Sequence, residues 1–224
     1  ASLTVVSNHF LHYTANISQM KYETAKNPVT FFPVSGKIGK SHAKTQANTR
    51  RINHMLDAKV AQLLNIQVNK EFYSAYLYLD FSNYYAEEGL NGFANWYKIQ
   101  AQEERDHALL FMQYLQNNGC KVTLDAIDKP DKELKSFADP LHAGFEHEQL
   151  VTGLIHTIYD AANQVKDFRT MQFLDWFVKE QGEEETNAEG LIKKFDLFGS
   201  DPRALYMLDN ELGARVYSAP SLVL

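Results

Sequence analysis

The chain has 224 residues, 45% of them apolar and 22% charged, which is enough for one sizeable core or two small ones and excludes a disulfide miniprotein or a disordered tail. Its single cysteine, Cys120, excludes an intramolecular disulfide and any four-thiolate zinc or iron–sulfur site, so a bound metal has to be held by oxygen and imidazole ligands. Charge is unevenly spread: residues 1–54 carry seven Lys/Arg against one acid and residues 55–224 carry 15 against 27, a +6 arm on a −12 body, which argues against nucleic acid and for cations as partners.

Residues 1–54 hold eleven Ser/Thr, with Pro28, Pro33, Gly36 and Gly39, and sustain neither a 2- nor a 3.6-residue period, so they read as a basic, irregular N-terminal extension. Such a composition also describes organellar transit peptides, but Arg appears only at its end; a cytoplasmic protein is the expectation and targeting the alternative. Met55 is a candidate start of the body. From there Leu56, Val60, Leu63, Leu64, Val68, Phe72 and Ala75 recur at steps of three and four, predicting a first helix that ends near Glu88-Gly89.

A second helix follows through Phe93, Trp96, Ile99, Leu109, Leu110, Met112 and Leu115 to Asn118-Gly119, where glycine suits the left-handed residue after a helix. Cys120 to Ser136, with Pro130 and several acids, is long enough to carry the chain from one end of a bundle toward the other. Asp139-Pro140 reads as cap and first residue of a third helix through Phe145, Leu150, Leu154, Ile158 and Ala162. After Lys166-Asp167 a fourth carries Met171, Leu174, Phe177, Val178, Leu191, Ile192 and Phe195 to Gly199, and Asp201-Pro202 opens a short fifth helix to Gly213. The expected fold is all-α: a four-helix bundle with a long crossover between the second and third helices and a short C-terminal helix. No apolar run approaches the roughly 20 residues that a bilayer demands, so no membrane partner is expected.

Carboxylates interrupt the apolar stripes of all four long helices. Glu71 stands two turns before Tyr78 on the first; Glu104 and His107, at i and i+3, share one patch of the second; Glu148 lies between Phe145 and Val151 on the third; Glu180, Gln181 and Glu184 lie between Val178 and Leu191 on the fourth. One such acid is ordinarily a solvated surface residue. Several inside one bundle would cost several kcal/mol each in desolvation and repel one another unless a cation compensated them. Three or four carboxylates with one imidazole suit iron or manganese better than structural zinc. Only the second helix has the full Glu-x-x-His motif of a di-iron bundle, and Gln181 stands where the fourth would supply a second acid/His pair, leaving one metal position poorer in charge.

At these residues the chain resembles the ferritin family, and within it the bacterial non-haem class. The resemblance covers residues 55–224 and is carried by Asn69-Lys70-Glu71-Phe72-Tyr73-Ser74, Gln102-Glu103-Glu104-Arg105-Asp106-His107, His147-Glu148-Gln149-Leu150, Trp176-Phe177-Val178-Lys179-Glu180-Gln181 and Leu212-Gly213-Ala214-Arg215-Val216. It implies an intra-subunit di-iron centre in which Glu71, Glu104 and His107 hold the first iron, Glu104 bridges to a second completed by Glu148, and Gln181 takes an outer position. It further implies that Tyr78 serves as an electron donor beside the centre and that Glu103, Glu180 and Glu184 form a third iron site. The implied activity is oxidation of Fe(II) by dioxygen and storage of Fe(III) mineral in a homo-oligomeric cage of 24 subunits, without haem. The haem-binding relatives fit less well, because the fourth helix lacks its own Glu-x-x-His and the first has no methionine beyond Met55. The alternative reading is a DNA- or partner-binding shell protein of the same fold with weak or no oxidase activity, which the basic extension keeps open.

Overall fold

The structure, a computed structural model, describes residues 56–224. The basic extension 1–54, and Met55 as the start of the body, lie outside the described residues. Five helices and no strands make up the described part: α1 (Ala58–Glu87), α2 (Asn91–Asn117), α3 (Asp139–Gln164), α4 (Phe168–Phe198) and α5 (Pro202–Gly213).

Local chemistry sets most of their ends. Asp57 starts α1, accepting from the Lys59 and Val60 amides at 2.8 and 3.4 Å, so the helix begins at its cap and not at the first periodic apolar residue. Gly89 and Gly119 follow α1 and α2 with φ of +79° and +71°, where a side chain would be strained. Asp201 caps α5 through the Arg203 and Ala204 amides. The start of α3 departs from expectation. Asp139 is its first helical residue, and its carboxylate turns back to accept from the Lys135 and Ser136 amides at 2.6 and 2.7 Å. It therefore closes the turn before the helix, leaving Ala138 in the cap position.

The apolar interior has two parts. One gathers Val60, Leu64, Phe111, Leu115, Ile155, Phe173 and Phe177; the other gathers Leu77, Phe81, Tyr85, Phe93, Leu141, Leu191 and Leu208. Helix α1 enters the first part and then the second, α2 and α3 enter the second and then the first, and α4 repeats the order of α1. Helices α2 and α3 thus run in the same direction, and residues 118–138 have to travel the length of the bundle between them, as the expected crossover does. Asn65 pins this segment by exchanging hydrogen bonds with the Thr123 carbonyl and amide at 3.0 and 2.8 Å, and Asn69 donates to Ala126.

Helix α2 has no side-chain cap of its own, since Leu90 occupies that position. Asp209 of α5 supplies one from a distance, accepting from the Gly92 and Phe93 amides at 2.7 and 3.0 Å. The approach requires glycine at position 92, because a Cβ there would overlap the Asp209 carbonyl oxygen. Gly92→Ala should therefore push α5 off the bundle, at a cost of about 1–3 kcal/mol from overpacking plus roughly 1 kcal/mol from the lost cap. Thermal melting together with limited proteolysis near Pro202 checks this; an unchanged melting temperature would contradict it.

Two residues counted on the inward stripes, Leu109 and Val178, are in fact 45% and 38% exposed. The stripes are narrower than the apolar pattern, because a helix in a four-helix bundle contacts neighbours on only part of its circumference.

Candidate metal centre

A polar layer separates the two halves of the core. On every long helix it falls where one apolar half gives way to the other: Glu71 and Ser74 on α1, Glu104 and His107 on α2, His147 and Glu148 on α3, Gln181 and Glu184 on α4, all buried. The expected convergence of mid-helix carboxylates on a common interior is present.

Within the layer, Glu71, Glu104 and His107 each bring a ligand atom to within 4.8 Å of the others, and no other trio of His, Cys, Asp or Glu among the described residues does so. Their donors are hard oxygens and one imidazole. Glu104 Oε2 lies 3.5 Å from His107 Nδ1, while its Oε1 accepts from Gln100 Nε2 at 3.1 Å. Glu71 Oε1 accepts from Gln67 Nε2 at 2.9 Å; its Oε2 is the one buried side-chain polar atom among the described residues with no hydrogen-bond partner. Buried carboxylate oxygens are normally satisfied, and one left over on a residue of a hard-donor trio fits a cation ligand. Edges and faces of Trp176 and Phe177 pack around His107, with ring centroids 5.6 and 5.8 Å away, and keep that side dry.

Glu148 stands beside the trio. Its carboxylate accepts from the Tyr78 hydroxyl and, at 3.1 Å, from Gln181 Nε2, which also reaches the Glu148 carbonyl at 3.3 Å and Thr152 Oγ1 at 3.4 Å. Gln181 and Tyr78 are thereby placed against the Glu148 carboxylate. Next to it His147 Nε2 pairs with Ser74 Oγ at 2.8 Å, and burial pushes that imidazole down to about 4, so it is neutral.

Electrostatics explains how such a layer tolerates burial. Burial, then the Glu104 charge, pushes Glu71 up to about 8, and the same two causes push Glu148 up to about 8. Burial and then Glu148 hold Glu184 well above the usual carboxylate range. Burial alone would also raise Glu104 and lower His107, but the hydrogen bond and charge attraction between them win: Glu104 is depressed, and His107 is raised to about 10. At neutral pH the layer is one internal ion pair, Glu104 with His107, beside the protonated carboxyls of Glu71 and Glu148. It holds protons where it could hold cations.

The set expected for a third iron is arranged differently. Glu184 is buried and accepts from Gln100 Nε2 at 2.8 Å, Glu180 is half-buried, and Glu103 is held by the Arg215 guanidinium at 2.5 Å. They offer no second gathering of free carboxylates like the first. Two residues absent from the sequence expectations matter here: Gln67 and Gln100, each four residues before a ligand glutamate and each donating to it. The repeated Gln-x-x-x-Glu on α1 and α2 was the available signal. Arg215 lay in a segment that carries the resemblance, but nothing local ties it to the second helix.

A crossover four-helix bundle with a buried layer of carboxylates and an imidazole at its centre defines the class of carboxylate metal-binding bundle proteins. Comparison with known proteins narrows this. A family model described as the ferritin-like domain matches residues 61–198. A bacterial non-heme ferritin from Campylobacter jejuni is 38% identical over 155 residues, covering 69% of this chain and 93% of that protein. A probable bacterial non-heme ferritin-like protein from Haemophilus influenzae is 35% identical over 159 residues, covering 71% and 96%. The solved open-pore ferritin of the archaeon Archaeoglobus fulgidus superposes with a TM-score of 0.70 at 42% identity over 72% of this chain and 98% of its own. An engineered closed form of that ferritin gives 0.71 at 41% over 73% and 99%. The chain belongs to the ferritin family. No helix among the described residues is long and apolar enough to cross a membrane.

Proposed function

We propose that this chain is the subunit of an iron-storage cage and a ferroxidase, oxidising Fe(II) with dioxygen at two metal positions inside each subunit. The observation that carries this reading is the buried Glu71, Glu104 and His107 trio, together with the unpartnered Oε2 of Glu71. Glu71, Glu104 and His107 take the first iron; Glu104 is shared with a second, which Glu148 completes, and Gln181 lies in the outer position. The iron is substrate and cargo. Two ferrous ions held side by side supply a pair of electrons to one dioxygen, and the protein contributes spacing, charge and exclusion of bulk water. The hydrogen bond from Tyr78 to Glu148 supports a role for Tyr78 as an electron donor beside the centre.

Iron at Glu103, Glu180 and Glu184 has to compete with the Arg215 guanidinium for Glu103, so that position is the weaker one in this chain. Assembly into a closed cage of 24 copies fits the apolar residues left on outward faces, Tyr76, Leu79 and Leu109 among them, which a lone subunit would leave in water. Two measurements test the reading: native mass, and anaerobic Fe(II) titration followed by oxygen addition with absorbance detection. A cage-sized mass and saturation near two fast-oxidising Fe(II) per subunit are expected. A monomer, or oxidation no faster than in buffer, would overturn it.

A further inference from the structure

Beyond the ligands, one residue is placed to control them from outside the bundle. Arg215 follows α5, in the segment that lies back along α2: Asn95 Nδ2 donates to the Arg215 carbonyl at 3.0 Å, the Tyr217 hydroxyl to Asp106 at 2.5 Å, and Trp176 Nε1 to Ser221 at 3.0 Å. Its guanidinium lies 4.2 Å from the Trp96 ring centroid and makes three polar contacts: Nη1 donates to the Trp96 carbonyl at 3.2 Å and to Gln100 Oε1 at 3.0 Å, and Nη2 to Glu103 at 2.5 Å. On its other end the Gln100 amide donates to Glu104 at 3.1 Å and to Glu184 at 2.8 Å.

These contacts leave Gln100 one orientation. A guanidinium only donates, and the ionised Glu104 only accepts, so the amide oxygen has to face Arg215 and the amide nitrogen the carboxylates. Turned over, oxygen would meet carboxylate and nitrogen would meet guanidinium, and both contacts would repel. Without Arg215, Oε1 loses its partly buried charged donor and the amide no longer has a reason to keep Nε2 on Glu104. We propose that Arg215 is a positioning residue of the metal centre, acting through Gln100 to fix the Glu104 carboxylate that both metal positions share. This rests on the metal-centre reading above. Lysine does not replace it, because one ammonium over Trp96 cannot fork to both Gln100 and Glu103.

Cobalt(II), which binds such sites without being consumed, is the probe, used with the full-length assembled chain. Arg215→Ala should weaken Co(II) binding about tenfold, as loss of an outer hydrogen-bond partner commonly does, and alter the visible Co(II) spectrum, with native mass and melting temperature unchanged. Arg215→Lys should show the same loss, in smaller degree. In a Gln100→Leu background, Arg215→Ala should cost less than about twofold more, because the route through Gln100 is already cut. Wild-type Co(II) affinity and spectrum in Arg215→Ala, or losses that multiply in the double variant, would overturn the inference. Should Arg215→Ala fail to assemble, Arg215→Lys decides alone: wild-type binding refutes, weakened binding supports. Absence of Co(II) uptake by the unaltered chain sinks the metal-centre reading and this inference with it, whereas uptake that ignores Arg215 sinks only the inference.

Discussion

Metal binding should strengthen steeply from pH 6.5 to about 8 and more gently from there to about 10, with protons released into solution as the metal enters. Glu71 and Glu148 are pushed up to about 8 by burial and the Glu104 charge, and the His107 imidazolium is held to about 10 by Glu104. All three are protonated at pH 6.5, and all three have to lose a proton to act as ligands. Each displaced proton contributes up to roughly tenfold in affinity per pH unit below its pKa, so filling both positions should displace about three and steepen accordingly. Co(II) titration in weak buffer with a pH indicator measures the release directly. A proton count near zero would contradict the protonated layer.

The metal-free chain should show the reverse dependence in its stability. The pKa values of Glu71 and Glu148 are raised in the folded state, so between the ordinary carboxylate range and about 8 the folded chain holds more protons than the unfolded one. The stability they contribute is fully present in acid and is lost as the pH rises through about 8. His107 acts in the same direction, its contribution being lost as the pH rises through about 10. Asp139, held below the usual range by the Lys135 and Ser136 hydrogen bonds, opposes them only in strong acid and does not alter this window. Melting temperature without metal should therefore fall from pH 6 to pH 9, and Co(II) should restore it most at pH 9. A flat profile in calorimetry would argue that the layer is hydrated and open.

The second large effect is a separation of stability from activity. Glu104→Ala and His107→Ala should each slow Fe(II) oxidation at least about 100-fold, because each removes a ligand from the buried trio. Glu71→Gln should slow it comparably while raising the stability of the metal-free chain by roughly 1 kcal/mol, more at pH 9 than at pH 6. The substitution removes an acid that is costly to ionise in the interior and supplies a donor to the neighbourhood of the Glu104 charge. Stopped-flow oxidation and thermal melting on the same samples test the pair of effects. An active Glu71→Gln would remove that residue from the site; an inactive but destabilised one would mean that Glu71 is structural.

Much of this organisation was legible because it is local. The cap at Asp201, left-handed glycines after α1 and α2, and the 3.6-residue period are consequences of backbone geometry within a few residues. Glu104 and His107 share a patch for the same reason: i and i+3 lie on one side of any α-helix. The length of residues 118–138, with its proline and acids, announced a crossover because no short turn needs so much chain. The resemblance placed Glu71, Glu104, His107, Glu148 and Gln181 in one site, and all five lie in the buried layer.

What the sequence by itself determined, then, was the set of helices, where they stop and the stripe on which each acid lies. The tertiary structure alone decided how each helix is rotated about its own axis, and therefore that Glu184 turns inward to Gln100 while Glu103 turns to Arg215, and that Leu79, Leu109 and Val178 stay outside. It also decided that Asp209 caps α2 and that Arg215 orders the amide behind Glu104. Periodicity fixes neighbours along one helix, but contacts between distant segments depend on packing, which shape and burial settle only once all the helices are together.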